Sequence, residues 1–381
     1  MRILYLHQFF ITRAGVGGTR SYEFARRFVA RGHAVRMVTA GGGHRTVEGI
    51  EVAGVRGGYS DYVSATGVSY PRRMLAFAQF ALAATAEALR GPRPDVIYAT
   101  SPPLTMALPG LLASMRWRVP LVFEVRDLWP EAPIQMGALR SPPARRLARA
   151  LERFVYRRSS RVIALSPGIR DGVVAAGAPA ATVALVPNAA DLDLFSPGER
   201  RAKRFTVAYF GTMGEANDLE PVLGAARELP DVRFVLMGDG KRREELARAA
   251  PANVELPGAA QSKQAVARLA AASSVCLTLF KDVPVLATNS PNKLFDTFAA
   301  GRPAIVNMDG WMRDLVEANE AGLYVAAGDP HDLAHKVRWL RDHPEEVERI
   351  GRNARALAER QFDRDELAAR ALAVLEEVAC G

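Results

Sequence analysis

The chain has 381 residues, 49% hydrophobic and 24% charged, an ordinary globular composition long enough for two domains with a core each. Its two cysteines, Cys276 and Cys380, form no CxxC or Cys/His cluster, which argues against a disulfide framework or structural zinc and fits a reducing, cytoplasmic compartment. Lys and Arg total 50 against 41 Asp and Glu, and the formal charge of +9 favours anionic partners: phosphorylated substrates, phospholipid headgroups or nucleic acid.

The opening MRILYLHQFF reads as a first strand rather than a signal peptide, and no apolar run reaches membrane-spanning length. Strands are expected at 2–6, 34–39, 49–55, 96–100, 120–125, 161–165 and 182–186, with helical patterns at 19–31, 72–90 and 143–158. Strands so continuously apolar, alternating with amphipathic stretches, predict an α/β class with parallel strands covered on both faces. The polar stretch 191–204, ending in Arg200, Arg201, Lys203 and Arg204, reads as a linker. The rhythm then restarts, with strands at 205–210, 232–237, 253–256, 275–280, 303–306 and 322–325 and helices at 241–248, 262–272 and 291–300. Residues 344–378 read as helical throughout. The result is two doubly wound, Rossmann-like halves. Such sheets bind ligands beyond the carboxyl ends of their strands, so two of them facing across a cleft suit the joining of two substrates.

The sharpest local signal is Asn289-Ser290-Pro291-Asn292-Lys293-Leu294-Phe295-Asp296. Ser290 followed by Pro291 predicts a helix start, whose free amides and dipole attract anions. Lys293 and Asp296 lie three apart, a cation for a phosphate and a carboxylate for ribose hydroxyls. A capped surface helix with a Lys–Asp pair accounts for the same pattern. The helix dipole supplies only about 0.3–2 kcal/mol, whereas micromolar binding needs roughly 8, so other groups must contribute. Gly211-Thr212 after one strand and Gly238-Asp239-Gly240-Lys241 after the next are candidates, as is Gly17-Gly18 after the first strand. None forms a Walker A loop or a GxGxxG fingerprint.

Glu124-Val125-Arg126-Asp127-Leu128-Trp129-Pro130-Glu131 places charges at a strand's carboxyl end. Asp127 is a candidate for taking a proton from an attacking hydroxyl, Arg126 for neutralising phosphate, and Glu131 is a second candidate carboxylate. A structural Arg–Asp pair is the alternative. His7 reads as structural, and Asp191-Leu192-Asp193 as a chance DxD in the linker, so no metal site is expected. The uncharged run 74–86 behind Arg72 and Arg73, and the arginine-rich 142–161, are two amphipathic stretches suited either to a core with a solvated face or to an anionic membrane surface.

As an ordered set, Gly17-Gly18, Arg31–Val35, Pro94-Asp95-Val96, Val186-Pro187-Asn188, Gly211, Gly238-Asp239-Gly240 and Lys293–Gly301 with Arg302-Pro303 resemble glycosyltransferase family 4. The resemblance implies the GT-B fold: an acceptor-side domain over 1–195, a nucleotide-sugar domain over 205–360, and a C-terminal helix over 361–381 crossing back to the first. It implies a retaining transferase with no cofactor and no metal, taking a nucleotide-sugar donor, a UDP-sugar. Glu124–Glu131 and Ser290–Gly301 look like the branch that builds bacterial surface polysaccharides and O-antigens, where aminosugar or deoxysugar transferases act on saccharide or polyprenyl-diphosphate-linked acceptors. Such enzymes work in the cytoplasm or peripherally on the inner face of the plasma membrane.

The implied donor-binding set is Gly17, Gly18, Gly211, Thr212, Lys241, Ser290, Asn292, Lys293 and Asp296, and the implied catalytic set Asp127, Arg126 and Glu131. The sequence departs from the family in several places. Thr288 stands where the first of the paired glutamates belongs, Arg126 replaces a frequent histidine, and the arginine–lysine pair beyond Gly211 is missing, leaving Lys241 and Lys293 to substitute. A GT-B nucleotide-sugar epimerase and a non-enzymatic nucleotide-sugar-binding module are the alternatives. No motif supports a nucleic-acid partner.

Overall fold

The computed structural model describes residues 1–15, 17–59, 68, 70–198 and 204–380. The linker bases Arg200, Arg201 and Lys203 lie outside the described residues. In the first unit, strands β1 (Arg2–Leu6), β2 (Ala34–Ala40), β3 (Gly43–Val47), β4 (Ile50–Val55), β5 (Val96–Thr100), β6 (Leu121–Val125), β7 (Arg161–Ala164) and β8 (Val183–Leu185) form one sheet, in the order β3-β4-β2-β1-β5-β6-β7-β8. All its pairs are parallel except β3–β4. β3 escaped the sequence reading because GHRTV is polar and lies exposed on the sheet edge. The helices are α1 (Arg20–Ala30), α2 (Tyr70–Arg90), α3 (Ala107–Trp117), α4 (Glu131–Gln135), α5 (Pro142–Arg158) and α6 (Pro167–Ala175).

The second unit carries β9 (Thr206–Phe210), β10 (Arg233–Met237), β11 (Val254–Gly258), β12 (Val275–Thr278), β13 (Ala304–Val306) and β14 (Gly322–Tyr324), all parallel in the order β11-β10-β9-β12-β13-β14. Its helices are α7 (Glu220–Glu228), α8 (Arg243–Ala249), α9 (Lys263–Ala272), α10 (Asn292–Ala299), α11 (Trp311–Ala318), α12 (Pro330–Asp342) and α13 (Pro344–Gln361). In each sheet the strand order reverses beside its first strand, at β1/β5 and at β9/β12. That is where the crevice of a doubly wound sheet opens.

The expected single helix over 344–378 is two helices. α13 ends at Gln361, and α14 (Arg364–Cys380) crosses to the first unit and packs on α1, β5 and β7. Phe362 causes the break. Its ring lies 4.5 Å from Phe295 and 6.5 Å from Phe298, and its carbonyl accepts the Ala190 amide at 2.8 Å. Burying a phenylalanine is worth roughly 1.5–3 kcal/mol, more than the one helix hydrogen bond of about 0.5–1.5 that a break sacrifices. One apolar cluster runs from the first sheet through this junction to one face of the second sheet, and a separate cluster fills the other face. The two units are thereby packed as well as tethered.

Candidate functional site

A cavity of about 430 Å³ opens between the units, at the carboxyl ends of both sheets. It is of the size expected for a small-molecule site. The expected residues Gly17, Gly18, Arg126, Asp127, Gly211, Thr212, Ser290, Asn292, Lys293 and Asp296 all line it. So do Asp239, from the expected Gly238-Asp239-Gly240-Lys241 turn, and Asn188, Asn217, Lys263 and Phe280, which were not among the expected site residues.

On the first unit's wall, buried His7 at the end of β1 orients Arg126. His7 Nδ1 lies 2.8 Å from Ser21 Oγ, and Arg126 Nη1 lies 3.2 Å from His7 Nε2. An arginine can only donate, so Nε2 accepts and Nδ1 carries the proton. Burial, reinforced by Arg126, holds the His7 pKa well below its usual value, which keeps the ring neutral and able to accept. Beside Arg126, burial raises the Asp127 carboxyl above its ordinary range, and the guanidinium opposes the shift. Glu124, in contrast, is wholly structural. Arg20 clamps it through Nε at 3.0 Å and Nη2 at 2.8 Å, Thr100 donates to it at 2.8 Å, and Arg20 also reaches the carbonyls of Pro187 and Val186.

On the second unit's wall, Lys293 leaves the first turn of α10 and crosses over Gly211. Its Nζ donates to Tyr209 Oη at 2.8 Å and to Asn217 Oδ1 at 3.1 Å, and stands 4.2 Å from the Tyr209 ring centroid and 5.6 Å from that of Phe280. No carboxylate among the described residues forms an ion pair with it. Burial alone pulls its pKa down to about 7. Gly211 has φ +139°, which favours glycine, and a Cβ there would sit 3.2 Å from Lys293 Nζ and push the ammonium aside by a few tenths of an ångström. At Gly18 the two walls meet: a Cβ would lie 3.1 Å from Arg126 Nη2 and 3.5 Å from Asn292 Nδ2.

Three expectations and the alternative Lys–Asp pair need correction. Ser290 does not cap α10. Its Oγ accepts the Asn188 amide at 3.1 Å, tying the units together, and Pro291 occupies the cap position. Lys293 and Asp296 do not pair with each other; Lys293 turns to Tyr209, while Asp296 faces Lys263 at 3.5 Å. Glu131 begins α4 outside the cavity lining and pairs with Arg149 at 2.8 Å, satisfying its charge at the surface. Lys241 also lies outside the lining, 64% exposed and paired with Glu215 at 2.8 Å. Of the two lysines expected at this wall, Lys293 is the one that lines the cavity.

Sequence signals existed for some residues that were missed. Lys263 stands in the first turn of α9, where the helix dipole disfavours a cation, and that anomaly marks it. Asp191, read as a chance match in a solvated linker, is fully buried between the units. Asn217 carries no such signal. Among the described residues no cluster of His, Cys, Asp and Glu has metal-binding geometry, and no helix is long and apolar enough to cross a membrane.

Comparison with known proteins matches residues 16–189 to a glycosyl transferase 4-like domain and residues 204–343 to glycosyl transferases group 1. The sulfoquinovosyl transferase of Arabidopsis thaliana is 24% identical over 289 residues, 70% of this chain and 54% of that protein, so the match spans about half of that relative's length. Among solved structures, sucrose-phosphate synthase from Thermosynechococcus elongatus superposes with a TM-score of 0.82 at 17% identity, covering 100% of this chain and 99% of that one. Anabaena HepE in complex with UDP-glucose superposes with a TM-score of 0.75 at 20% identity, covering 99% of this chain and 100% of that one. The architecture of two Rossmann-like sheets is what these chains share.

Proposed function

The chain belongs to the GT-B glycosyltransferases, and on that premise we propose that it transfers a sugar from a UDP-sugar to a hydroxyl of a lipid-linked saccharide, with retention at the anomeric carbon. The observation that carries the donor site is Lys293, a desolvated ammonium in the cleft without a carboxylate partner among the described residues. An amine held near pKa 7 by burial becomes fully charged when a diphosphate arrives, which gives the site a reason to be built that way. Lys293 and the first turn of α10 would hold the diphosphate, with Asp296 accepting from the ribose hydroxyls. That HepE was crystallised with UDP-glucose supports the choice of uridine.

In the proposed step the acceptor oxygen attacks the anomeric carbon from the side on which the diphosphate leaves. The bond to the diphosphate oxygen breaks with its electron pair, and the acceptor proton ends on that oxygen, whose developing charge Lys293 stabilises. Asp127, with Arg126 set by His7, would orient the acceptor hydroxyl from the opposite wall. Positive charge from Lys293 and the helix amides would take the place of a metal, so activity should persist with a chelator. A role in surface polysaccharide or O-antigen synthesis rests on the likeness of the stretch Glu124 to Glu131 to that branch.

The lipid-linked acceptor draws support from one surface. α3 packs beside both α2 and α5, and the three helices leave apolar side chains in solvent: Leu75 and Leu82, Leu108, Leu112 and Met115, and Leu147 and Phe154. Leu82 and Leu147 are each 73% exposed, and on α5 Arg146, Arg149, Arg153, Arg157 and Arg158 are exposed beside Leu147 and Phe154. Apolar side chains ringed by arginine suit an acidic lipid surface. The chain should sediment with phosphatidylglycerol vesicles and not with phosphatidylcholine, and Leu147→Glu with Phe154→Glu should release it; equal sedimentation with both vesicles would refute a charge-selective surface.

Thermal-shift screening against UDP, GDP, ADP, dTDP and CMP tests the donor. A ligand at a hundredfold excess over its dissociation constant stabilises by about 2.7 kcal/mol. A shift specific to UDP and lost in Lys293→Ala is expected; a shift with another nucleotide would replace the donor, and none with any would remove the proposal.

A further inference from the structure

Behind α10 a buried ion cluster joins the donor wall to the domain junction. Asp191, between β8 and the linker, is fully buried and paired with two cations, Lys263 and Arg364. Lys263 is the first residue of α9 in the second unit, and Arg364 the first residue of α14, the helix that returns to the first unit. Lys263 Nζ also stands 3.5 Å from Asp296 Oδ1, and of the four residues only Lys263 and Asp296 line the cleft. The same junction is closed by the Ala190 amide on the Phe362 carbonyl at 2.8 Å and by Arg364 Nη2 on the Ala189 carbonyl at 2.7 Å.

Local stability does not account for Lys263. The helix dipole opposes a cation at the first turn of α9, and burial to 7% exposure adds a desolvation cost. What the position provides is one ammonium within reach of two carboxylates, one belonging to the junction and one to the cleft. The two are held unequally, in direct contact with Asp191 and at a longer distance from Asp296.

We infer that Lys263 is a positioning residue shared between the donor site and the domain junction: it holds the Asp296 carboxylate ionised toward the cleft, and Asp191 with Arg364 sets how much of its charge Asp296 receives. The inference rests on the reading that Asp296 contacts the bound nucleotide. Burial raises the Asp296 carboxyl to about 6; Lys263 opposes the shift, Asp191 adds to it and Arg364 opposes it. Behind Asp191, Glu23 and Arg13 also act on the cluster, Glu23 facing Asp191 and Arg364 and Arg13 facing Asp191. Arg355 on α13 is engaged at the carbonyls of Ala299 and Phe195, β13 brings no ionisable side chain, and the Cys276 thiol on β12 is pushed up to about 12 by burial and stays neutral.

Only the ionised carboxylate accepts two ribose hydroxyls, so nucleotide affinity should fall as pH drops through about 6. Neutralising Asp191 turns Lys263 wholly to Asp296 and moves that acid limb down. Removing the ammonium leaves Asp296 facing Asp191 and moves the limb up.

The experiment is UDP titration of the full chain by calorimetry between pH 5 and pH 8, with each variant's fold checked by circular dichroism. Lys263→Met should shift the acid limb up by about one pH unit, so that affinity relative to wild type drops roughly threefold at pH 6.5 and the two chains converge toward pH 8. Asp191→Asn should shift the limb down, and Lys263→Arg should keep it near wild type. An unchanged acid limb in a folded Lys263→Met or Asp191→Asn chain, or a loss of affinity independent of pH, would overturn the inference while leaving the donor site standing. Should Lys263→Met fail to fold, Asp191→Asn decides by the same criterion. A wild-type chain that binds UDP at no pH would overturn the donor reading instead, and this inference with it.

Discussion

On the first unit's wall of the cleft, each arginine is already held by a side chain of its own unit. Arg20 is matched by Glu124 and Arg126 leans on neutral His7. On the second unit's wall, Lys293 meets only hydroxyl, amide and ring faces. A wall whose arginines are held in place by fixed partners can orient a neutral hydroxyl. A wall that leaves an ammonium desolvated and unmatched favours the arrival of negative charge. The asymmetry is what supports the proposed placement of the acceptor on the first unit and the nucleotide on the second.

The largest expected effect breaks the acceptor wall. Asp127→Asn should lower kcat by about 10²–10⁴ while leaving UDP affinity within about twofold; a matching loss of UDP affinity would place Asp127 on the donor side. Next, Lys293→Ala should weaken UDP binding by roughly 10–150-fold, the worth of about 1.5–3 kcal/mol for hydrogen bonds to a charged group. Unchanged affinity by calorimetry would remove Lys293 from the site.

The pH dependence sharpens the same contrast. Lys293 is half-protonated near pH 7 in the free enzyme, and a bound diphosphate raises its pKa, so binding takes up a proton above that pH. UDP affinity should be steady just below pH 7 and fall up to tenfold per unit above it, until the pH reaches the pKa of the complex. A flat profile from pH 7 to 9 would show that the charge of Lys293 is not used. Gly211→Ala, which forces a side chain into φ +139° and against Lys293 Nζ, should cost about 1–3 kcal/mol of stability and weaken UDP binding with it. The smallest effect is Lys241→Ala. An exposed pair such as Lys241–Glu215 is worth about 0–1 kcal/mol, so stability should barely change and UDP affinity should hold. A loss above about tenfold would return Lys241 to the donor site.

Much of the architecture was legible because it rests on local periodicity. Apolar runs such as RILYL and TVAYF read as buried parallel strands whatever their partners. GHRTV did not, because an exposed edge strand carries no apolar signature. The site was legible where a glycine or a helix start announced it, as at Gly18, Gly211 and Lys293, and misleading where a charge could pair either way. Lys241 and Lys293 look alike as lysines beside a turn or a helix start. Glu215 neutralises one, and desolvation between Tyr209 and Phe280 isolates the other.

By itself the sequence determined two parallel α/β halves, a cleft between their strand ends and part of the list of residues that face it. Only the tertiary structure decided which charges are matched. It closed the Asp191–Lys263–Asp296–Arg364 cluster from four segments up to 173 residues apart, broke the last helix at Phe362, and gave the Ser290 hydroxyl to Asn188 rather than to its own helix. The physical reason is range: hydrogen-bond periodicity and apolar spacing act over a few residues of chain, whereas desolvation and ion pairing depend on what the fold brings within a few ångströms.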